Sequence, residues 1–327
     1  MNVHIIGNKV LEKSAFMNGV RFSSVEEFYN PKIFRDIAKK ATLPHEFRNG
    51  FWLKTLERFF VMYQYMESQN VSKIFHAELD QLLFGCDKLV DNLENSGKSG
   101  AFLPFQSVDR VVASVFYCND LETLKSLIDY SQKVNSFENE MLLLANWALE
   151  NPNRIHALPT LALELNGTST LASAGISVLT SQQVGGVVDA AKLGQWVGGE
   201  DPRNLLYSER PKNKFVFDNE NSESLSRYQL TRLRFSIDSL SQLTCTFSDL
   251  NFVNVYNLHL HSKVHAWLMR SDINLSKLIN YSNLEFDVSL PSTRKLQLIY
   301  LAKTAARSFK KNPIRVMKKI LTKLSNI

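Results

Sequence analysis

What the chain lacks narrows its function first. Among 327 residues there are three cysteines, Cys86, Cys118 and Cys245, too few and too widely spaced for a disulfide framework or a CxxC metal clasp. No apolar run reaches 18 residues, so the sequence predicts no membrane-spanning helix. The opening MNVHIIGNKV has neither the basic region nor the long apolar stretch of a signal peptide, so a cytoplasmic location is expected. Internal repeats and low-complexity blocks are absent too, which sets aside solenoids and compositional disorder.

Another absence is local. From Pro291 to Ile327 there is no Asp or Glu, while ten basic residues fall there, among them Arg294, Lys303, Lys310, Arg315, Lys319 and Lys323. Outside that stretch 28 basic residues face 32 acidic ones, a balance of −4, so the chain-wide +6 belongs to the tail. Proteins that track phosphate backbones spread basic residues over a folded face, and this distribution argues against nucleic acid as a partner.

What is present points to a packed body. Apolar residues make up 44% of the chain, with 21 Phe, 10 Tyr and 4 Trp, enough to bury a sizeable core. The charge division predicts a body over residues 1–290 and a basic tail over 291–327. Val3–Ile6, closed by Gly7-Asn8, predicts a first strand and turn, and Ser24–Lys40 a helix interrupted at Pro31. Trp52, Leu56, Phe59, Phe60, Tyr63 and Met66 recur at three- and four-residue spacing, which predicts a helix over Phe51–Ser68. A strand over Lys73–His76 follows at once. A helix feeding a strand that ends in carboxylates fits an α/β domain, where ligands sit at strand carboxyl ends. Val111–Tyr117 and Phe252–His259 read as further strands, Leu121–Ser131 and Glu138–Glu150 as helices, and Thr168–Asp201 as a loop-heavy stretch.

Two clusters carry chemistry. In His76-Ala-Glu78-Leu-Asp80, a strand persisting through Asp80 would put an imidazole and two carboxylates on one face, where they suit a divalent cation. The competing reading is a half-buried edge strand with solvated acids. In Asn257-Leu-His259-Leu-His261-Ser-Lys263, the alternating histidines share a face; one is a candidate metal ligand, and Lys263 can hold a phosphate. The alternative is a pair of surface histidines beside a lysine. Around Gly194-Gln-Trp-Val-Gly-Gly199, flanked by Asp189 and Asp201, glycines would let backbone approach a ligand closely and Trp196 could stack on it, or the segment is a pair of tight turns. Arg48, before a turn at Asn49-Gly50, can reach a diphosphate, and Arg58, on the helix, can pair with an acid.

The order of these clusters resembles GT-A-fold glycosyltransferases, in which an acid-x-acid metal motif follows a central strand. In the glycogenin and lipopolysaccharide galactosyltransferase type, three later blocks follow. Here Glu78-Leu-Asp80 resembles the metal motif, and Ala113–Asn119 running into Leu121–Leu127 resembles an Asn-Ser-Gly-type strand and helix. Asn135–Leu143 resembles an acid-rich helix start, and His259-Leu-His261-Ser-Lys263 with Trp267 the C-terminal block that supplies a metal-ligand His and a phosphate-contacting Lys. The first acid is glutamate and no Lys-Pro-Trp is present, so the resemblance concerns the fold class rather than a stereochemical outcome. Phe47–Trp52, Lys54–Phe60, Gly194–Asn204 and Asn257–Lys263 are also similar to stretches of bacterial glycosyltransferase-like proteins of capsule and O-antigen gene sets.

The resemblance implies an α/β, GT-A-like (Rossmann-like) nucleotide-sugar-binding domain with a basic helical tail. It implies transfer of a sugar from a nucleotide-sugar donor to a glycan or lipid-linked glycan acceptor, assisted by a divalent metal, Mn²⁺ or Mg²⁺. Glu78, Asp80 and His261 are then the expected metal ligands, and Arg48, Lys263, His259 and Asp201 the donor-contacting residues. Glu140 or Asp189 would deprotonate the acceptor hydroxyl if the reaction inverts. Within the tail, Ile314, Met317, Leu321 and Leu324 form an apolar stripe among basic residues. Such a helix lies in the headgroup region, each basic residue contributing on the order of 1 kcal/mol at an anionic leaflet. The competing reading packs it on the acidic body. Peripheral attachment at the cytoplasmic face of the inner membrane is the expectation, and a non-catalytic, membrane-docking scaffold of a polysaccharide assembly complex the rival class.

Overall fold

The computed structural model describes residues 3–17, 19–42, 50–191, 193–194, 234–237, 243–247 and 250–259. At its start, β1 (His4–Gly7) pairs in parallel with β2 (Arg21–Ser24) across α1 (Glu12–Met17). Pro31 starts a helix rather than interrupting one: α2 (Pro31–Ala38) begins there. A proline's missing N–H costs nothing in a first turn, and the Asn30 side chain accepts the Lys32 and Ile33 N–H groups. The predicted long helix is present as α3 (Phe51–Ser68), whose Leu56, Phe59, Met62 and Met66 are buried at the expected spacing.

Next come β3 (Ile74–Ala77), β4 (Gln81–Leu83), α4 (Cys86–Asn95), β5 (Ala101–Ser107), β6 (Arg110–Val111) and β7 (Val115–Cys118). The single strand expected over Val111–Tyr117 is therefore broken. The break lies along β5 between the pairs Phe105↔Val111 and Phe102↔Tyr117, where Pro104 has no N–H to give the ladder and offers its carbonyl to Val112 N–H at 3.1 Å. Helices α5 (Leu121–Lys133) and α6 (Glu140–Glu150) are capped by Asp120 and Asn139. After β8 (Ile155–Leu158) comes α7 (Leu161–Asn166), and the stretch read as loop-heavy contains α8 (Ser169–Ser173), β9 (Ser177–Val178) and α9 (Ser181–Val184). Farther on, β10 (Arg234–Ile237), β11 (Leu243–Phe247) and β12 (Leu250–Val255) form an antiparallel sheet, and β13 (Asn257–His259) pairs with β4.

The protein is α/β with a mixed central sheet ordered β3-β7-β5-β8-β9, in which β7 runs against the other four. Alternation along its strands sends side chains to two apolar layers. Ala101, Leu103, Phe105, Phe116, Ile155 and Ala157 join Phe59 of α3, Leu127 of α5 and Trp147 of α6 on one face. Phe102, Val115, Tyr117 and Leu158 join Leu89 and Leu93 of α4 and Val184 of α9 on the other. Helices covering both faces explain why β5, β7 and β8 are buried at every residue rather than at alternate ones. All three cysteines are buried and unpaired. No helix among the described residues is long and apolar enough to cross a membrane. The predicted basic tail lies outside the described residues.

Candidate metal centre

Strand β3 ends at Ala77, so the persistent strand expected through Asp80 does not form. Residues 79 and 80 make a turn instead, closed by Gln81 N–H donating to the Glu78 carbonyl at 3.1 Å. Glu78 N–H donates in turn to the Ser114 carbonyl at 3.0 Å, which fixes the turn to the segment before β7. The two acids converge because the chain reverses, not because they share a strand face.

The third member arrives by pairing. Antiparallel β4 and β13 align Leu83 with Asn257, Leu82 with Leu258 and Gln81 with His259. That register sets His259 beside Asp80. Its Nε2 lies 3.1 Å from Glu78 Oε2 and 3.4 Å from Asp80 Oδ1. One ligand atom from each of Glu78, Asp80 and His259 falls within 4.8 Å of the others. The carboxylates keep 23% and 19% of their side-chain surface open, while His259 is buried. Two carboxylates and an imidazole so placed can hold a divalent metal ion.

The imidazole of this cluster is His259, which the resemblance placed among donor contacts, and not His76. The His76 side chain is half-buried, with its Nε2 enclosed and without a hydrogen-bond partner. Burial, with Arg58 nearby, pushes its pKa down to about 3, so it stays neutral. His261, Lys263, Arg48 and Asp201 lie outside the described residues.

Arg58 connects the centre to the interior. From α3 its Nη1 donates to Glu78 Oε1, and its Nη2 reaches Glu140 Oε1 at 3.4 Å. Its side chain is 14% exposed. Burial lowers the guanidinium pKa, and the charges of Glu140 and Asp80 hold it up. Glu140 is the first residue of α6, where the helix dipole favours a negative charge. Burial raises its pKa, and Arg58 pulls it back.

Asp189, the other acid the sequence offered as a base, is held by main chain on every side. Its Oδ1 accepts the N–H groups of Ala191 at 2.8 Å and Leu193 at 3.0 Å. Its Oδ2 accepts those of Gly194 at 2.7 Å and His259 at 2.9 Å. Burial raises its pKa, against the pull of the His259, Gly194 and Leu193 amides. Asn257 completes the clasp: its Oδ1 accepts Asp189 N–H at 2.9 Å, and its Nδ2 donates to the Asp189 carbonyl at 3.0 Å and to Gln81 Oε1 at 2.7 Å. The flank that Gly194 leaves open is filled by His259, since a Cβ there would stand 2.1 Å from the His259 carbonyl oxygen. Backbone does approach this glycine closely, and it is the protein's own.

Sequence reasoning missed Asn257 and the joint role of Arg58 and Glu140. The available signals were an amide two residues before a histidine and an arginine next to the buried Phe59-Phe60 pair of α3. No family model, no curated protein and no solved structure matches the chain.

Proposed function

We propose that the protein is a metal-assisted glycosyltransferase moving a sugar from a nucleotide-sugar donor to a lipid-linked surface glycan of the capsule or O-antigen kind. The observation that carries this reading is the convergence of Glu78, Asp80 and His259 at the carboxyl end of β3, in an α/β sheet covered by helices on both faces. These three side chains would hold Mn²⁺ or Mg²⁺, the imidazole favouring Mn²⁺. Such an ion supplies the positive charge that neutralises a departing nucleoside diphosphate.

The protein's own groups divide the remaining work. Asp189 fixes the main chain of His259 and Asn257 holds Asp189 in turn, so the strand that presents the imidazole is held in place. Arg58 orients Glu78. Lys263 and Arg48 contact phosphate in this reading, His261 is a further candidate ligand of the ion, and Asp201 with the glycine segment after Asp189 shapes the sugar pocket. Glu140 and Asp189 hold other groups rather than take the acceptor's proton, because one is enclosed beside Arg58 and the other is saturated by amides. The basic stretch 291–327 brings the enzyme to an anionic membrane at the cytoplasmic face, where lipid-linked acceptors reside.

A donor-hydrolysis screen across nucleotide sugars, with and without Mn²⁺, tests the proposal. Release of one nucleoside diphosphate that requires Mn²⁺ and disappears in Asp80→Ala is the expected result. No turnover together with no nucleoside diphosphate binding in calorimetry would instead favour the non-catalytic, membrane-docking scaffold.

A further inference from the structure

This inference rests on reading Glu78, Asp80 and His259 as a metal centre, and concerns the charges beneath it. Arg58 is a cation already lodged against one of the three ligands. A divalent ion and a guanidinium on the same carboxylate repel each other, most strongly where water is scarce. Either the guanidinium moves or the ion binds weakly.

The guanidinium has a place to go. Its Nη2 already reaches toward Glu140 Oε1 at 3.4 Å, a long contact. Its Nε is buried with no hydrogen-bond partner, and so is Glu140 Oε2. A donor and an acceptor, both enclosed and both unmet, thus belong to the two residues of one ion pair. A small shift of Arg58 toward α6 turns the long contact into a two-point fork, the arrangement these groups favour. The same shift releases Glu78 Oε1.

The charge count agrees. Arg58 is now shared between Glu78 and Glu140, with Asp80 close enough to act on it. After the shift Arg58 is paired with Glu140, on which Arg110 also acts, and a divalent ion matches the two charges of Glu78 and Asp80. We propose that Arg58 is the positioning residue of the metal centre, holding Glu78 until a divalent cation arrives and then passing to Glu140, so that Glu140 sets the metal affinity without touching the ion.

The test is Mn²⁺ titration of the full chain followed by electron paramagnetic resonance of the free ion, with circular dichroism to confirm folding. Four proteins are compared: wild type, Asp80→Asn, Glu140→Gln, and the double variant Arg58→Met/Glu140→Gln. Glu140→Gln leaves Arg58 only the acids of the centre, Glu78 and Asp80, as charged partners and is expected to weaken Mn²⁺ binding at least tenfold. The double variant removes the competing cation and is expected to bind within threefold of wild type. A merely structural role for the pair predicts the opposite order, with the double variant at least as impaired as the single one, and that result overturns the proposal. If Glu140→Gln does not fold, the double variant still decides, because it buries neither charge; binding more than tenfold weaker than wild type overturns the exchange. Wild-type binding that depends on Asp80 but not on Glu140 refutes the exchange and leaves the metal centre standing. No Mn²⁺ binding by wild type removes both.

Discussion

Asp189 and Glu140 are buried carboxylates that serve the same centre, and the chain treats them in opposite ways. Asp189 spends both oxygens on four main-chain N–H groups, three from the segment just after it and one from β13. Glu140 leaves Oε2 unmet, and its chief partner is a guanidinium at 3.4 Å that Glu78 also claims, with Thr55 and Arg110 adding to it. Main-chain donors cannot leave without a change of fold, whereas a guanidinium on a flexible stem can. The first arrangement therefore fixes geometry, and the second keeps a charge ready to move. Burial and charge alone do not tell an architectural acid from a functional one; the partner's freedom to move does.

The sharpest way to break this contrast is Asp189→Ala. It strands four enclosed amides, each costing about 1–3 kcal/mol when unsatisfied. Allowing for partial relaxation, we expect about 4 kcal/mol of stability to be lost in urea unfolding; a loss below about 1 kcal/mol would mean the clasp is incidental. Asp80→Asn should do the reverse: Mn²⁺ affinity falls by about 100-fold, while stability stays within about 1 kcal/mol because one of two crowded acids has been neutralised. An equally large loss of stability would place Asp80 with Asp189 among the architectural acids.

Gly194→Ala probes the seam between the two regions. Its Cβ would collide with the His259 main chain, so we expect about 2–3 kcal/mol of destabilisation and a weakened Mn²⁺ affinity together. Stability lost without any effect on Mn²⁺ would uncouple the clasp from the centre.

Acid gives the mildest test, on the Arg58 side. His76 is held neutral with a pKa near 3, against about 6.5 in an unfolded chain. The unfolded state therefore binds the extra proton. This contribution is fully present above pH 6.5 and is lost as pH falls from there toward 3. By pH 5 it has cost about 2 kcal/mol. His156, also lowered by burial, acts in the same direction. Melting temperatures should fall between pH 7 and pH 5, and a flat profile would show that protons reach these rings in the folded protein.

Much of the architecture was legible beforehand. The spacing of Leu56, Phe59 and Met66 located α3, and Glu78-Leu-Asp80 after a short apolar run located the acids. Other features were not, for physical reasons. Whether the chain turned at Leu79 or continued as a strand depended on the carbonyl of Ser114, a tertiary partner with no local signature. The choice of histidine followed from the register of β4 on β13, which adjacent sequence does not encode. Asp189 looked like a base because its partners are amides, and every residue but proline has one. Arg58 showed its charge in the sequence but not its two claimants, which come from the start of α6 and from the turn after β3.

The pairing of β4 with β13 also has a consequence in time. Asn257 and Gln81 are 176 residues apart. During synthesis at about 5–20 residues per second, the acid turn emerges on the order of ten to thirty seconds before β13 exists. Through that interval the nascent chain carries two carboxylates without the imidazole that completes the set. Tight capture of a cation must therefore wait until β13 has docked. Metal affinity then serves as a late reporter of a finished fold, and a ribosome-bound chain stopped short of Asn257 should bind no better than a peptide of the turn alone.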